Sequence, residues 1–209
     1  MQFYDYQPAP SPRRVRMFLA EKGLDVPTVQ VDLREKEQLS DAYRKINPRL
    51  TVPCLVLDDG SSIADIDAIC RYFEERHPEP ALYGRTPEER AAVTALNNQI
   101  EVDGVRTLAD GFRNSVKGFA GRAIPGPVDV EQIPELAERG KMRAGLWLED
   151  MNALLADREF LAGDTVTVCD ISAFVAIEFA AWQKIGIAES QSHLARWHQA
   201  MAARPSAQA

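Results

Sequence analysis

Little in this 209-residue chain offers metal or disulfide chemistry. Its three cysteines, Cys54, Cys70 and Cys169, lie far apart, with no CxxC pair and no metal-ligand spacing. Each sits among apolar neighbours, the context of a small buried hydrophobe, and a reducing cytoplasm fits that usage. The three histidines, His77, His193 and His198, are scattered, and none is read as a metal ligand. Positive charge is also short: 24 Lys and Arg against 31 Asp and Glu leave a net charge of −7. Neither a nucleic-acid nor an anionic-membrane partner is supported by that balance. Long apolar runs are missing too. The longest, "ISAFVAIEFAAW", is too short to span a bilayer and contains Glu178. The start, "MQFYDYQ", has the pattern of neither a signal nor a transit peptide. The expectation is a cytoplasmic protein without a metal.

What is present divides in two. Over the first eighty residues, strand and helix patterns alternate. "QFYDY" reads as a strand, residues 12–22 as a helix, and "TVQVDL" as a second strand with apolar residues on alternate positions. Residues 34–46 read as a helix with Leu39, Tyr43 and Ile46 on one side. "PCLVLDD" and "SSIA" form a hairpin about Asp59-Gly60, and "DIDAICRYFEER" is an amphipathic helix. The order βαβαββα predicts a small mixed sheet covered by helices. Then the proline-rich stretch at 79–86 reads as a linker. Beyond it, residues 87–117, 133–157, 168–185 and 192–203 all carry helical periodicity. The domains predicted are 1–78 and 87–209. One further signal, "TVCD" at Thr167 to Asp170, is a capping box opening the most apolar helix, a structural feature.

The stretch "QPAPSPRRVRMFLAEKG", Gln7 to Gly23, places three prolines before a strongly patterned helix. Ser11-Pro12 is a helix-start signal, with serine at the N-cap and proline at the first helical position. Val15, Phe18 and Leu19 mark the buried face. The open N–H groups and dipole of such a helix attract negative charge. From these residues alone, the place is either an anion site or an ordinary capped helix.

"RRVRMFLAEKG", "INPRLTVPCLVLDDGSSIADIDAICRYFEE", "HPEPALYGRTPEERA" and "FLAGDTVTVCDISAF" stand in the order and at the spacing found in glutathione transferases. The chain resembles that family over essentially its whole length, and most closely its bacterial theta-, nu- and Gtt2-like members. The resemblance implies a thioredoxin-like N-terminal domain followed by an all-helical C-terminal domain, and a homodimer. Glutathione would be the co-substrate, bound on the first domain, with a small hydrophobic electrophile in the cleft between the domains. The activity implied is conjugation, with detoxification as its setting. The alternatives are a glutathione-dependent peroxidase or disulfide reductase using the same site, and a non-catalytic ligand-binding protein.

By the same resemblance, Val52 would pair its backbone with the cysteinyl part of glutathione, next to a cis Pro53. Gln38 would reach the glycine end; as a bare residue it reads equally as a surface glutamine. Asp65 would hold the γ-glutamyl ammonium or, read locally, cap its helix. Ile66 stands where the family has a serine, which removes one hydrogen bond to a charged group. The hydroxyl that activates the thiol usually occupies the position of Ala9 in this chain. Ser11 is therefore either the donor from a displaced position or a helix cap. Tyr4 and Tyr6, on one face of the first strand, belong to packing, and Cys54 points into the sheet. A third departure is Leu50, where relatives often carry glycine.

Overall fold

The computed structural model describes all 209 residues, Met1 to Ala209, and they fall into two compact units. The first comprises Met1–Pro80 with Pro125–Val128 and Gln208–Ala209; the second comprises Ala81–Ile124 and Asp129–Ala207.

In the first unit, strand β1 (Gln2–Asp5) leads through α1 (Pro10–Glu21) to β2 (Thr28–Gln30). A 3-10 turn (Glu37–Leu39) and α2 (Asp41–Ile46) follow, then β3 (Cys54–Val56), β4 (Ser62–Ile63) and α3 (Ile66–Arg76). The sheet order is β2-β1-β3-β4. Parallel strands need a crossover, and α1 supplies it: β1 and β2 run parallel with Phe3 opposite Thr28. β3 then pairs antiparallel with β1, Tyr4 opposite Cys54, and the short β4 closes the edge.

Alternation along β1 sends Phe3 and Asp5 to one side and Tyr4 to the other. The side of Phe3 faces α1, whose Val15, Met17 and Phe18 are buried; α1 packs on α3, which buries Ile69 and Phe73. On the opposite side Tyr4 joins a cluster built on Val31, Tyr43 and Leu50. Lys22, just past α1, buries its ammonium between Glu74 (2.6 Å) and the carbonyls of His77 (2.7 Å) and Pro80. It thereby ties the C-terminal end of α3 to α1.

Two elements differ from the sequence expectation. The second strand is only three residues long, because Asp32 turns its carboxylate to the backbone N–H of Arg34 and ends the ladder. The helix expected over 34–46 is broken at Ser40, whose hydroxyl accepts from the N–H of Tyr43 and starts α2 afresh.

The second unit is helical: α4 (Pro87–Gln99), α5 (Arg106–Ser115), α6 (Pro134–Leu154), α7 (Val168–Ala181) and α8 (Ser192–Ala202). Thr86 caps α4, with Glu89 reaching back to the N–H groups of Thr86 and Arg85. Between α4 and α5, residues Ile100–Val105 widen into a π-helical turn, so the helix expected over 87–117 is not uniform. The turn brings Gly104 against Trp147, where a Cβ would lie 2.6 Å from the indole. One turn into α5, Gly111 meets Gly140 of α6 so closely that a Cβ on Gly140 would stand 2.9 Å from the Gly111 Cα.

α7 is buried along almost its whole length, and its first turn is organised by Asp170. As expected, the carboxylate reaches back to the Thr167 N–H (2.9 Å), and the Thr167 hydroxyl donates to the same oxygen (3.1 Å). It also takes the Leu161 N–H and the Trp197 indole N–H, each at 2.9 Å. No helix of the chain is long and apolar enough to cross a membrane.

Candidate active site at the start of helix α1

The three prolines before and inside the first turn of α1 decide which donors remain there. The helix begins at Pro10 and its N-cap is Ala9, which has no side chain to cap with. Ser11 is therefore the second helical residue, and the expectation that it caps the helix is corrected. Proline fits the early helix positions because its missing N–H would be unsatisfied there anyway. With prolines at 10 and 12, the chain enters the helix two residues before the expected start.

The donors follow by accounting. Pro10 and Pro12 have no N–H. The Ala9 N–H donates to Tyr6 O (2.8 Å) and the Arg13 N–H to Ala9 O (3.3 Å). Ser11 alone keeps both its amide and its hydroxyl uncommitted, half-buried at the positive end of a twelve-residue helix. Such a pair can meet one anion from two directions.

The other residues singled out in the sequence lie before β3, on the 3-10 turn and at the start of α3. Val52–Pro53 is a cis peptide. Thr51 before it is fixed by the Tyr43 hydroxyl and the Asn47 amide, both donating to its carbonyl at 2.7 Å. Val52 itself makes no backbone hydrogen bond, so its N–H and C=O are open to an extended partner. Leu50 has φ 56°, the left-handed conformation that a glycine adopts without strain. That conformation costs a residue with a Cβ about 1–2 kcal/mol. Burial of the Leu50 side chain beside Val31 and Tyr43 offsets it.

Gln38 is not a surface glutamine. It is buried on the 3-10 turn, and its Oε1 has no hydrogen-bond partner. Asp65 is the N-cap of α3: its Oδ1 accepts from the Ala68 N–H at 2.9 Å, which leaves Oδ2 open at an exposed position. Ile66 is the first residue of that helix and offers no side-chain donor. Tyr4 packs edge-on against Tyr43 and hydrogen-bonds Gln2, as a packing residue would.

Cys54 is wholly buried on β3. Burial pushes its thiol up to about 11, against a smaller pull from Ser62. At pH 7 roughly one such thiol in ten thousand is ionised. The expected result is that iodoacetamide leaves Cys54 of the native protein unmodified and labels it after unfolding, as mass spectrometry would read. Labelling at the rate of a free thiol in the folded state would contradict this. The sign for stability is fixed by the same shift. The folded thiol is raised above its unfolded value, so its contribution is full below about pH 8.5 and is lost as pH climbs from there towards 11.

Three of the charged residues over 87–117 are held by partners. Asp103 pairs with Arg143 at 2.8 Å, and Arg106 with Glu101 at 3.3 Å. Arg113 donates to the carbonyls of Arg122 and Ala123, which anchors the segment after α5. Burial and the neighbouring Arg122 lower its pKa to about 10. Sequence reasoning missed Asp5, Arg16 and Gln30, which the fold joins around the backbone of Gln7. Only the strand-to-helix contact brings them together, and no local pattern marks it.

A mixed four-stranded sheet whose parallel pair is joined through α1, with a cis proline leading into its inner strand β3, is a thioredoxin-like domain, here followed by helices. Residues 9–76 match the model of the glutathione S-transferase N-terminal domain, and residues 125–205 match that of the C-terminal domain. The chain belongs to the glutathione S-transferase family. It is similar to glutathione S-transferase 2 of Saccharomyces cerevisiae, 31% identical over 209 residues that span 99% of this chain and 87% of the yeast protein. Among solved structures, Gtt2 from Saccharomyces cerevisiae matches with a TM-score of 0.90 at 31% identity, over 100% of this chain and 99% of that one. A glutathione S-transferase domain-containing protein of Marinobacter aquaeolei VT8 matches with a TM-score of 0.90 at 37% identity, over 99% of both chains. The likeness to a Gtt2-type transferase thus runs the full length of the chain.

Proposed function

We propose that this glutathione transferase joins the thiolate of glutathione to small hydrophobic electrophiles. The observation that carries the reading is the pair of uncommitted donors on Ser11 at the start of α1. A free thiol has a pKa of about 8.5, and each unit of lowering needs about 1.36 kcal/mol of preferential stabilisation of the anion. A hydroxyl donor, an amide and the helix dipole together can supply one to two such units. Ser11 would hold the sulfur as its proton leaves to solvent. The sulfur then forms its bond to an electrophilic carbon, whose leaving group departs with the electron pair.

The rest of the tripeptide would be held on residues 1–78. Val52, with Pro53 fixing the bend, would pair its open N–H and C=O with the cysteinyl backbone. The free oxygen of Asp65 would take the γ-glutamyl ammonium, with Ile66 contributing only the helix start. Gln38, whose buried Oε1 lacks a partner, would reach the glycine end. A homodimer in a cytoplasmic, detoxifying role belongs to the same reading. In its support, Met142 and Leu146 lie one turn apart and exposed on α6, beside the exposed Val102 on the π turn that the Asp103–Arg143 pair ties to it.

The test is turnover of glutathione with a chloronitroaromatic electrophile, measured beside a hydroperoxide and a mixed disulfide. Conjugation at a rate well above either of the others is expected. Turnover of only the hydroperoxide or the disulfide would make the protein a reductase, and turnover of none would make it a binding protein.

A further inference from the structure

Four hydrogen bonds close a ring at the base of the loop that leads into α1. Asp5, buried at the end of β1, accepts from Arg16 Nη1 on Oδ1 (2.6 Å) and from Gln30 Nε2 on Oδ2 (2.8 Å). Gln30 turns its Oε1 to the Gln7 N–H (2.9 Å), and Arg16 Nη2 donates to the Gln7 carbonyl (2.8 Å). Both backbone groups of one loop residue are thus gripped by side chains from α1 and β2, and one carboxylate orients both side chains.

Satisfaction of orphan groups does not account for the ring. Gln7 is exposed, and water would serve its N–H and C=O as well. The ring even leaves Arg16 Nε buried without an acceptor. What it adds is position. From Gln7 to Ser11 the chain is stiff: Pro8, Pro10 and Pro12 fix φ, and the Tyr6–Ala9 turn is closed by a backbone bond of 2.8 Å. A displacement at Gln7 is therefore carried to Ser11 rather than absorbed.

We propose that Asp5, Arg16 and Gln30 are positioning residues, which clamp Gln7 and through the proline arm set where Ser11 aims its donors. This rests on the reading of Ser11 as the thiolate site. It answers why the chain stiffens itself before its first helix: a rigid arm is useful only when its base is held.

The experiment compares the wild type with Gln30→Ala and Arg16→Lys. Gln30 is exposed, so its truncation leaves the fold standing. Lysine at 16 keeps the charge facing Asp5 and Arg13 but loses the fork that reaches Gln7. For each protein the thiol of bound glutathione is titrated by the ultraviolet absorbance of its thiolate, and kcat and KM are measured. In both variants the bound thiol is expected to titrate about half a unit or more higher than in the wild type. kcat should fall roughly five-fold or more while KM for glutathione stays within about two-fold. Wild-type behaviour in both variants, on a wild type that does lower the thiol, would overturn the clamp and leave the Ser11 reading intact. An effect of Gln30→Ala with none of Arg16→Lys would assign the arginine's part to charge, and would overturn it as well. If the wild type does not lower the thiol, the Ser11 reading has failed before any variant is compared, and the clamp falls with it.

Discussion

Ser11→Ala is expected to lower kcat about ten-fold or more while leaving thermal stability and glutathione affinity nearly unchanged. The helix start decides what Ser11 holds. A serine at an N-cap contributes about 1 kcal/mol of stability, which alanine forfeits. Ser11 is not at the cap: Ala9 is, and the Ser11 hydroxyl makes no hydrogen bond within the protein. Nothing structural is lost with it. The loss falls on the sulfur, whose negative charge is greatest once the proton has left, so kcat carries the effect and KM does not. Steady-state kinetics and a melting curve on the same sample check both halves. A melting temperature that fell with unchanged turnover would assign Ser11 to structure alone.

The second large effect lies far from chemistry. Asp170→Ala should destabilise the protein by about 3–5 kcal/mol, because four buried donors lose their acceptor together. They are the N–H groups of Leu161 and Thr167, the Thr167 hydroxyl and the indole of Trp197. None can turn to water. Asp170 is fully buried, and burial raises its pKa against the pull of these same donors. Asp170→Asn keeps the volume but offers a single acceptor oxygen, so it should fall between alanine and wild type. For a chain of this size the alanine variant should melt about 10 °C or more below wild type. Denaturant unfolding reads the free energy, and a change below about 1 kcal/mol would mean the network contributes little.

These two residues also show how far the sequence reaches. The Thr167–Asp170 box is legible because it is local, four residues long and followed by an apolar run. Its true extent is not, since Leu161 and Trp197 join it only through the fold. Ser11 shows a different limit. Ser-Pro reads as a start, but so does Ala-Pro, and only the path of the chain from β1 decides between them. Gln38 reads as an ordinary polar helix residue until Ser40 breaks the element and the turn buries it. Leu50 departs from the family's glycine and keeps the backbone that glycine would have, because its side chain joins the core. The π turn at Ile100–Val105 leaves no trace in the periodicity beyond Gly104, whose reason is Trp147. The strands themselves, by contrast, follow from patterns a few residues long, and the sheet carries each of the strands expected.

The central claim is that the helix start, the cis-proline bend and the Asp65 cap together form a glutathione site despite the isoleucine at position 66. Calorimetric titration of the purified protein with reduced glutathione near neutral pH, repeated with S-hexylglutathione, tests it most directly. The account predicts saturable one-to-one binding of both, with the hexyl derivative tighter because its chain adds apolar contact. Heat of dilution alone for both ligands would contradict it.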